Sequence, residues 1–159
     1  MRLDVGCGAF DKGDVNCDLF KDDIGHRTGR KDILGGKVKA PNFVLCDAQN
    51  LPFKFDCFDE VISRHCIEHV DNPFLMLKEM VRVSKDRIIV FCPHVFGERA
   101  TQPKNPFHKS YFKKSWFYRA ARALHVSYAS VTYSKYRGFP SEFFPLFVLP
   151  FELRTEIRK

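Results

Sequence analysis

Gly6, Gly8 and Asp18 are the residues whose types and spacing first suggest chemistry. The apolar run around Leu3 and Val5 ends at Gly6-Cys7-Gly8, and a second run, Val15–Asp18, ends at a carboxylate. Glycines at the end of one strand let backbone approach a ligand, and an acidic residue ending the next can accept from both hydroxyls of a ribose. A third run, Asn42–Cys46, also stops at a carboxylate, Asp47, and a fourth, Phe58–Ser63, stops at Arg64-His65. In an open parallel sheet ligands sit beyond the carboxyl ends of the strands, so these positions converge on a site for a nucleoside cofactor. Each motif alone has a plain alternative: Gly6-Cys7-Gly8 as a tight turn, Asp18 and Asp47 as loop-starting caps. Their joint placement favours the ligand.

The elements that must hold these residues follow from the apolar pattern. Residues 2–6 predict a short buried strand. Only eight residues, 7–14, separate it from the next strand at Val15, fewer than a helical crossover between parallel strands needs. The first helix of a doubly wound fold is therefore expected to be missing or reduced to a turn, and Asp11-Lys12-Gly13-Asp14 has loop composition. Residues 21–41, polar and punctuated by glycine, read as a mobile loop with at most one helical turn. Leu51-Pro52-Phe53 is a turn. Phe74, Leu75, Leu77, Met80 and Val81 recur at helical spacing within Asn72–Val83, with Asp71 or Asn72 as N-cap and Pro73 at the first helical position. Arg87–Cys92 is a buried strand, residues 97–112 a loop, Ser115–Leu124 a second helix and Val126–Tyr133 a further strand. Pro140, Pro145 and Pro150 exclude a long central strand from the stretch they punctuate. Phe151–Ile157 alternates, which predicts a strand with one wet face. The expected fold is α/β, a Rossmann-like open, mostly parallel sheet with a shortened first crossover lacking the usual first helix.

Charge divides the chain. Residues 1–93 carry 14 Lys/Arg and 15 Asp/Glu, whereas residues 94–159 carry 12 and 4, together with 15 of the 23 aromatics. We read one domain over 1–159, with a cofactor half at 1–93 and a basic, aromatic-rich acceptor half at 94–159. No apolar stretch approaches the roughly 20 residues of a membrane span. Met1 leads almost directly into the first strand, so neither a signal peptide nor a segment covering the cofactor is expected, and a cytoplasmic location follows. The six cysteines (7, 17, 46, 57, 66 and 92) form no Cys-x-x-Cys pair, which favours buried, reduced thiols over a zinc cluster.

Taken together, LDVGCG, VNCDLF, CDAQNLPFKFDCFDEVIS and RHCIEHVDNP resemble class I S-adenosylmethionine-dependent methyltransferases over residues 2–93. The similarity is greatest to a group in which the glycine loop runs straight on to Gly-x-x-Asn-x-Asp, here Gly13 to Asp18. The resemblance implies S-adenosylmethionine as cofactor, S-adenosylhomocysteine as product and no metal. It further implies that Asp4, Gly6 and Gly8 shape the methionyl end of the pocket, that Asp18 binds the ribose hydroxyls and that Leu19 lies against the adenine. Asp47 would accept from the adenine amino group, Ala48 would offer backbone, and His65 would sit near the methionyl side. The third glycine of the usual pattern is replaced around Ala9-Phe10.

Competing readings are weaker. A nicotinamide-binding fold expects Gly-x-Gly-x-x-Gly and a helix over the pyrophosphate, and both are lacking. His65-Cys66-Ile67-Glu68-His69 matches the His-x-x-Glu-His pattern of zinc peptidases, but it follows a strand end rather than lying on one helical face. Glu68 and His69 read instead as structural hydrogen-bonding residues. His65, His94 and His108 are the candidates for a catalytic base, which methyl transfer needs only when the acceptor must lose a proton. Lys109, Lys113, Lys114, Arg119 and Arg122, interleaved with Tyr111, Phe112, Trp116, Phe117 and Tyr118, could grip an anionic acceptor, RNA among them. The aromatics read equally as a helix packed on the sheet. The apolar stretch 143–151 is either a last core strand or an interface for self-association or a partner. A different class of function remains: a non-catalytic cofactor- or RNA-binding module that retains the fold.

Overall fold

The computed structural model describes residues 1–8, 12–21, 39–95, 107–134 and 152–159. The expected loop within 21–41 and the apolar stretch 143–151 fall mostly or wholly outside them, as do Ala9 and Phe10. Among the described residues nine elements run in the order β1 (Arg2–Val5), β2 (Val15–Asp18), β3 (Phe43–Leu45), β4 (Phe58–Arg64), α1 (Pro73–Val83), β5 (Ser84–Pro93), α2 (Lys114–Ala123), β6 (Tyr128–Ser134) and β7 (Glu152–Arg158). The seven strands form one sheet in the order β3-β2-β1-β4-β5-β7-β6. From β3 to β5 neighbours are parallel, and β7 runs antiparallel to both β5 and β6. The open, mostly parallel α/β sheet is thus the one expected.

Register sorts the side chains onto two unlike faces. Val44, Cys17, Val5, Ser63, Val90, Thr155 and Val131 align in one row across the whole sheet. With Leu3, Val61, Ile88 and Ile157 they face the helices, and α1 contributes Met76, Leu77 and Met80 to the same core. From α2 come Phe117 and Ala120. Phe112, Trp116 and Phe117 pack edge-on or tilted within 5.5 Å between ring centres, so the packing reading holds for these aromatics. The opposite face carries a ladder of ions: Arg2 to Glu60, Glu60 to Arg87, and Arg87 to Glu156, which also receives Arg154. In β7, Leu153, Thr155 and Ile157 are buried while Glu152, Arg154 and Glu156 stay half-exposed, as the alternation predicts.

Three boundaries differ from expectation. β5 begins at Ser84, directly after α1, rather than at Arg87. Ser84-Lys85-Asp86 is polar, yet its backbone pairs with β4 from Phe58, and Ser84 Oγ donates to the Arg87 carbonyl. Hydrophobicity understates this strand because its first residues pair through main chain. β3 shrinks to Phe43–Leu45, and β6 starts at Tyr128, because Val126 closes the end of α2 by donating to the Ala121 carbonyl. Among the described residues no helix is long and apolar enough to cross a membrane.

Helix α1 does more than cover the sheet. Asn72 caps it by accepting from Leu75 N at 3.1 Å, and Pro73 opens it. From its last turns Glu79 accepts from Leu51 N at 2.9 Å, while Arg82 donates to the carbonyls of Leu51 and Phe53 and pairs with Glu79 at 2.7 Å. The Leu51-Pro52-Phe53 turn is thereby held by two helix side chains. Glu79→Gln is expected to lower stability by about 1–3 kcal/mol at neutral pH, measured by urea unfolding. Arg82 holds the Glu79 carboxyl below its ordinary value of 4.5, so the contribution is complete above that pH and is lost as pH falls through the folded value. The wild-type advantage over Glu79→Gln should therefore shrink in acid; an advantage independent of pH would contradict the pairing.

Candidate cofactor and acceptor site

The carboxyl ends of β1, β2 and β3 are tied to one another through main chain. Gly6 N and Cys7 N both donate to the Cys17 carbonyl, at 2.8 and 3.1 Å, and Cys46 N donates to the Asp18 carbonyl at 2.9 Å. Gly6 and Gly8 adopt φ of +72° and +55°, the left-handed region that favours glycine. A side chain at Gly6 would meet Cys66 Sγ at 2.4 Å and Cys66 Cβ at 2.6 Å, whereas a Cβ at Gly8 would meet nothing within 4 Å. One glycine is required by packing, and the other faces open space.

Asp18 stands beside that space. Its Oδ2 accepts from Gly8 N at 3.0 Å and its Oδ1 from Phe20 N at 3.1 Å. Each carboxylate oxygen has two acceptor sites, so both retain one for a diol. Leu19 and Phe20 are exposed next to it, at 52% and 37%. Asp47 starts a turn: its Oδ1 accepts from Gln49 N at 2.8 Å, the capping role, while Gln49 Oε1 accepts from Asn72 N. Ala48 is buried. Asp4 is also buried, and its Oδ2 accepts from Lys12 N at 2.9 Å, so it fastens the β1–β2 link. Asn16 completes that link by accepting from Gly13 N and donating to the carbonyls of Gly13 and Pro41.

The three histidines separate in chemistry. His65, at φ +49°, places Nε2 2.9 Å from Glu152 and Nδ1 3.4 Å from Glu68. These carboxylates raise its pKa from 6.5 to about 10, so at neutral pH it is an imidazolium. Pairing with two carboxylates disfavours the general-base role and gives the ring at the end of β4 a cationic character. His94 is buried, and desolvation together with Lys113 and Lys114 lowers its pKa, leaving a neutral ring set edge-on to Tyr133 at 5.4 Å. His108 lies edge-on to His69, with ring centres 4.7 Å apart. His69 bonds to Phe107 as a structural residue would, but the Glu68 carboxylate does not behave as expected: neither oxygen has a hydrogen-bond partner among the described residues. Glu152 was invisible to sequence reasoning, because it meets His65 only through the antiparallel return of β7.

In the basic block, Lys113, Arg119 and Arg122 are exposed, as are Tyr111 and Tyr118. Lys109 pairs with Asp71, and Lys114 sits over the Tyr133 ring at 3.9 Å. Two open concavities lie elsewhere, one at the amino ends of β1 and β4 and one between α1 and α2 around Phe74 and Trp116. The strand-end site is thus an open ledge among the described residues, with segments 9–11, 22–38 and 96–106 outside the description.

A family profile described as "Methyltransferase domain" matches residues 3–92, more than half of the sequence and all of the strands that form this ledge. The chain belongs to the methyltransferase domain family. Ajmaline N-methyltransferase of Rauvolfia serpentina is 32% identical over 104 residues, covering 58% of this chain and 35% of the relative. The methyltransferase-family chain thus spans about a third of that curated relative. In fold it is similar to an S-adenosylmethionine-dependent methyltransferase of Thermotoga maritima, with a TM-score of 0.66, 18% identity and coverage of 99% of this chain and 82% of that one. It is likewise similar to magnesium protoporphyrin IX methyltransferase of Synechocystis, solved with bound S-adenosylhomocysteine (TM-score 0.62, 15% identity, 99% and 73% coverage).

Gly6→Ala tests the glycine turn. Overpacking against Cys66 and the left-handed φ are together expected to cost about 2–4 kcal/mol in denaturant unfolding. Adding Cys66→Gly should recover the steric part; equal stability of Gly6→Ala and wild type would refute the packing.

Proposed function

We propose that this chain is an S-adenosylmethionine-dependent methyltransferase of a single domain, with its cofactor on the β1–β3 ledge and its acceptor met by residues 94–159. The observation that carries the reading is the joined pair of Gly8 amide and Asp18 carboxylate, 3.0 Å apart beside open space at adjacent strand ends. The donor set fits the group: a carboxylate with spare acceptor sites suits a ribose diol, and a sulfonium nucleoside has no phosphate that would need a helix terminus. When bound, S-adenosylmethionine supplies a methyl group that an acceptor lone pair displaces in line from sulfur, leaving S-adenosylhomocysteine.

The chain's own residues bind and align. Asp18 holds the ribose, exposed Leu19 offers apolar surface to the base, and Gly6 and Gly8 keep side chains out of the methionyl end. Asp47 and Ala48 would border the adenine, although Asp47 also caps its own turn. The short run from Gly13 through Asn16 to Asp18 is fastened by Asp4 and Asn16, through amides and carbonyls of the link. His65 contributes positive charge; His94, buried at the end of β5 with a lowered pKa, has the neutral ring a base requires. The exposed cations of α2 favour an anionic acceptor.

Calorimetry with S-adenosylmethionine and S-adenosylhomocysteine tests the reading. Saturable binding is expected, and Asp18→Ala should weaken it by about tenfold or more, roughly 1.4 kcal/mol or above. Undiminished affinity in Asp18→Ala would remove the ribose assignment, and absence of binding to either compound would overturn the function.

A further inference from the structure

We propose that Glu68, His69 and His108 form a binding site for one divalent transition-metal ion. The ligand atoms of these three residues all lie within 4.8 Å of one another. An ion with bonds near 2.1 Å needs donor separations of roughly 3–3.5 Å, within reach of small side-chain rotations. The inference rests on the methyltransferase reading only for what the ion would do there, not for the site itself.

Glu68 is the decisive residue. It is 1% exposed, and neither carboxylate oxygen has a hydrogen-bond partner among the described residues. The His65 ring touches Oε1 alone, at 3.4 Å, and makes its shorter contact with Glu152 at 2.9 Å. The His65 ring thus compensates this buried carboxylate only through Oε1, and a cation at Oε2 would complete it. His69 is oriented as metal-binding histidines commonly are. Its Nδ1 lies 2.9 Å from the Phe107 carbonyl oxygen, which can only accept, so Nδ1 carries a proton, and in the neutral ring Nε2 is the atom with the lone pair.

Two segments 39 residues apart in sequence are stapled to bring His108 to this point. The Glu68 carbonyl accepts from Lys109 N at 2.8 Å and from Ser110 N at 3.2 Å, and Lys109 Nζ reaches Asp71 at 2.7 Å. These bonds immediately follow His108, whose ring lies edge-on to His69. The site is unlike the His-x-x-Glu-His arrangement considered from sequence, since His65 is engaged with Glu152 and the third ligand comes from the segment before α2. Two imidazoles and one carboxylate suit zinc, cobalt, iron or manganese rather than calcium, which takes six to eight oxygens. Three protein ligands leave coordination positions open for an oxygen or nitrogen of an acceptor.

The test is titration of the chelator-stripped full chain with Co2+ alone, followed by calorimetry and visible absorption. One equivalent should bind, with d–d bands and without the near-ultraviolet charge-transfer band that a cysteine ligand would give. Glu68→Gln and His108→Ala should each weaken binding by at least about tenfold. S-adenosylhomocysteine affinity, measured in parallel on His108→Ala, should stay within about twofold of wild type, since the ribose and glycine contacts lie elsewhere. Absence of saturable Co2+ binding, a thiolate band, or undiminished binding in both variants would overturn the metal site. Loss of S-adenosylhomocysteine binding by the wild type with Co2+ binding intact would overturn the methyltransferase reading and leave the metal site standing.

Discussion

The hydrogen bond from Gly8 N to Asp18 Oδ2 is the contact on which the candidate site depends. It joins the ends of two parallel strands whose connection is too short for a helix, and it aligns a glycine amide with a carboxylate beside open space. The neighbouring bonds make it rigid. Cys17 takes both Gly6 and Cys7 through its carbonyl, and Asp18 passes the tie on to β3 through Cys46. Cys66, pressed where a Gly6 side chain would be, brings the end of β4 into the same arrangement. Burial pushes the Cys66 thiol well up, so it stays protonated and acts as packing.

Much of this was legible in the residues. Apolar runs ending in glycine or carboxylate located three strand ends and Arg64-His65 a fourth, and Asn72-Pro73 marked the start of α1 because cap and first-turn chemistry are local. The alternation of Leu153, Thr155 and Ile157 announced β7 for the same reason: a two-residue period needs no tertiary context. What could not be read depends on long-range pairing. The start of β5 at Ser84 is polar and shows only in its bonds to β4. The partners of His65, Glu152 and Glu68, come from β7 and from the turn after β4, and only their joint placement turns a candidate base into a cation. Likewise Glu68, His69 and His108 gain meaning from main-chain bonds between distant segments.

The sheet divides its labour between its faces. One face is mostly apolar from Val44 to Val131, with Ser63 and Thr155 in the row, and carries both described helices. The other is a ladder in which Glu60 and Glu156 form ion pairs with Arg2, Arg87 and Arg154. Partly exposed ion pairs of this kind add little stability singly, but in a network they keep a charged face ordered. Of the twelve Lys/Arg of residues 94–159, five lie on α2 and the segment before it: Lys109, Lys113, Lys114, Arg119 and Arg122.

The most direct test of the central claim is a two-dimensional 1H–15N amide spectrum recorded while S-adenosylhomocysteine is added. The account predicts that the largest shift changes fall on Gly6, Gly8, Asp18, Leu19 and Ala48, at the joined ends of β1, β2 and β3. Shifts concentrated instead between α1 and α2, around Phe74, Trp116 and Ala120, or an unchanged spectrum at saturating ligand, would contradict it.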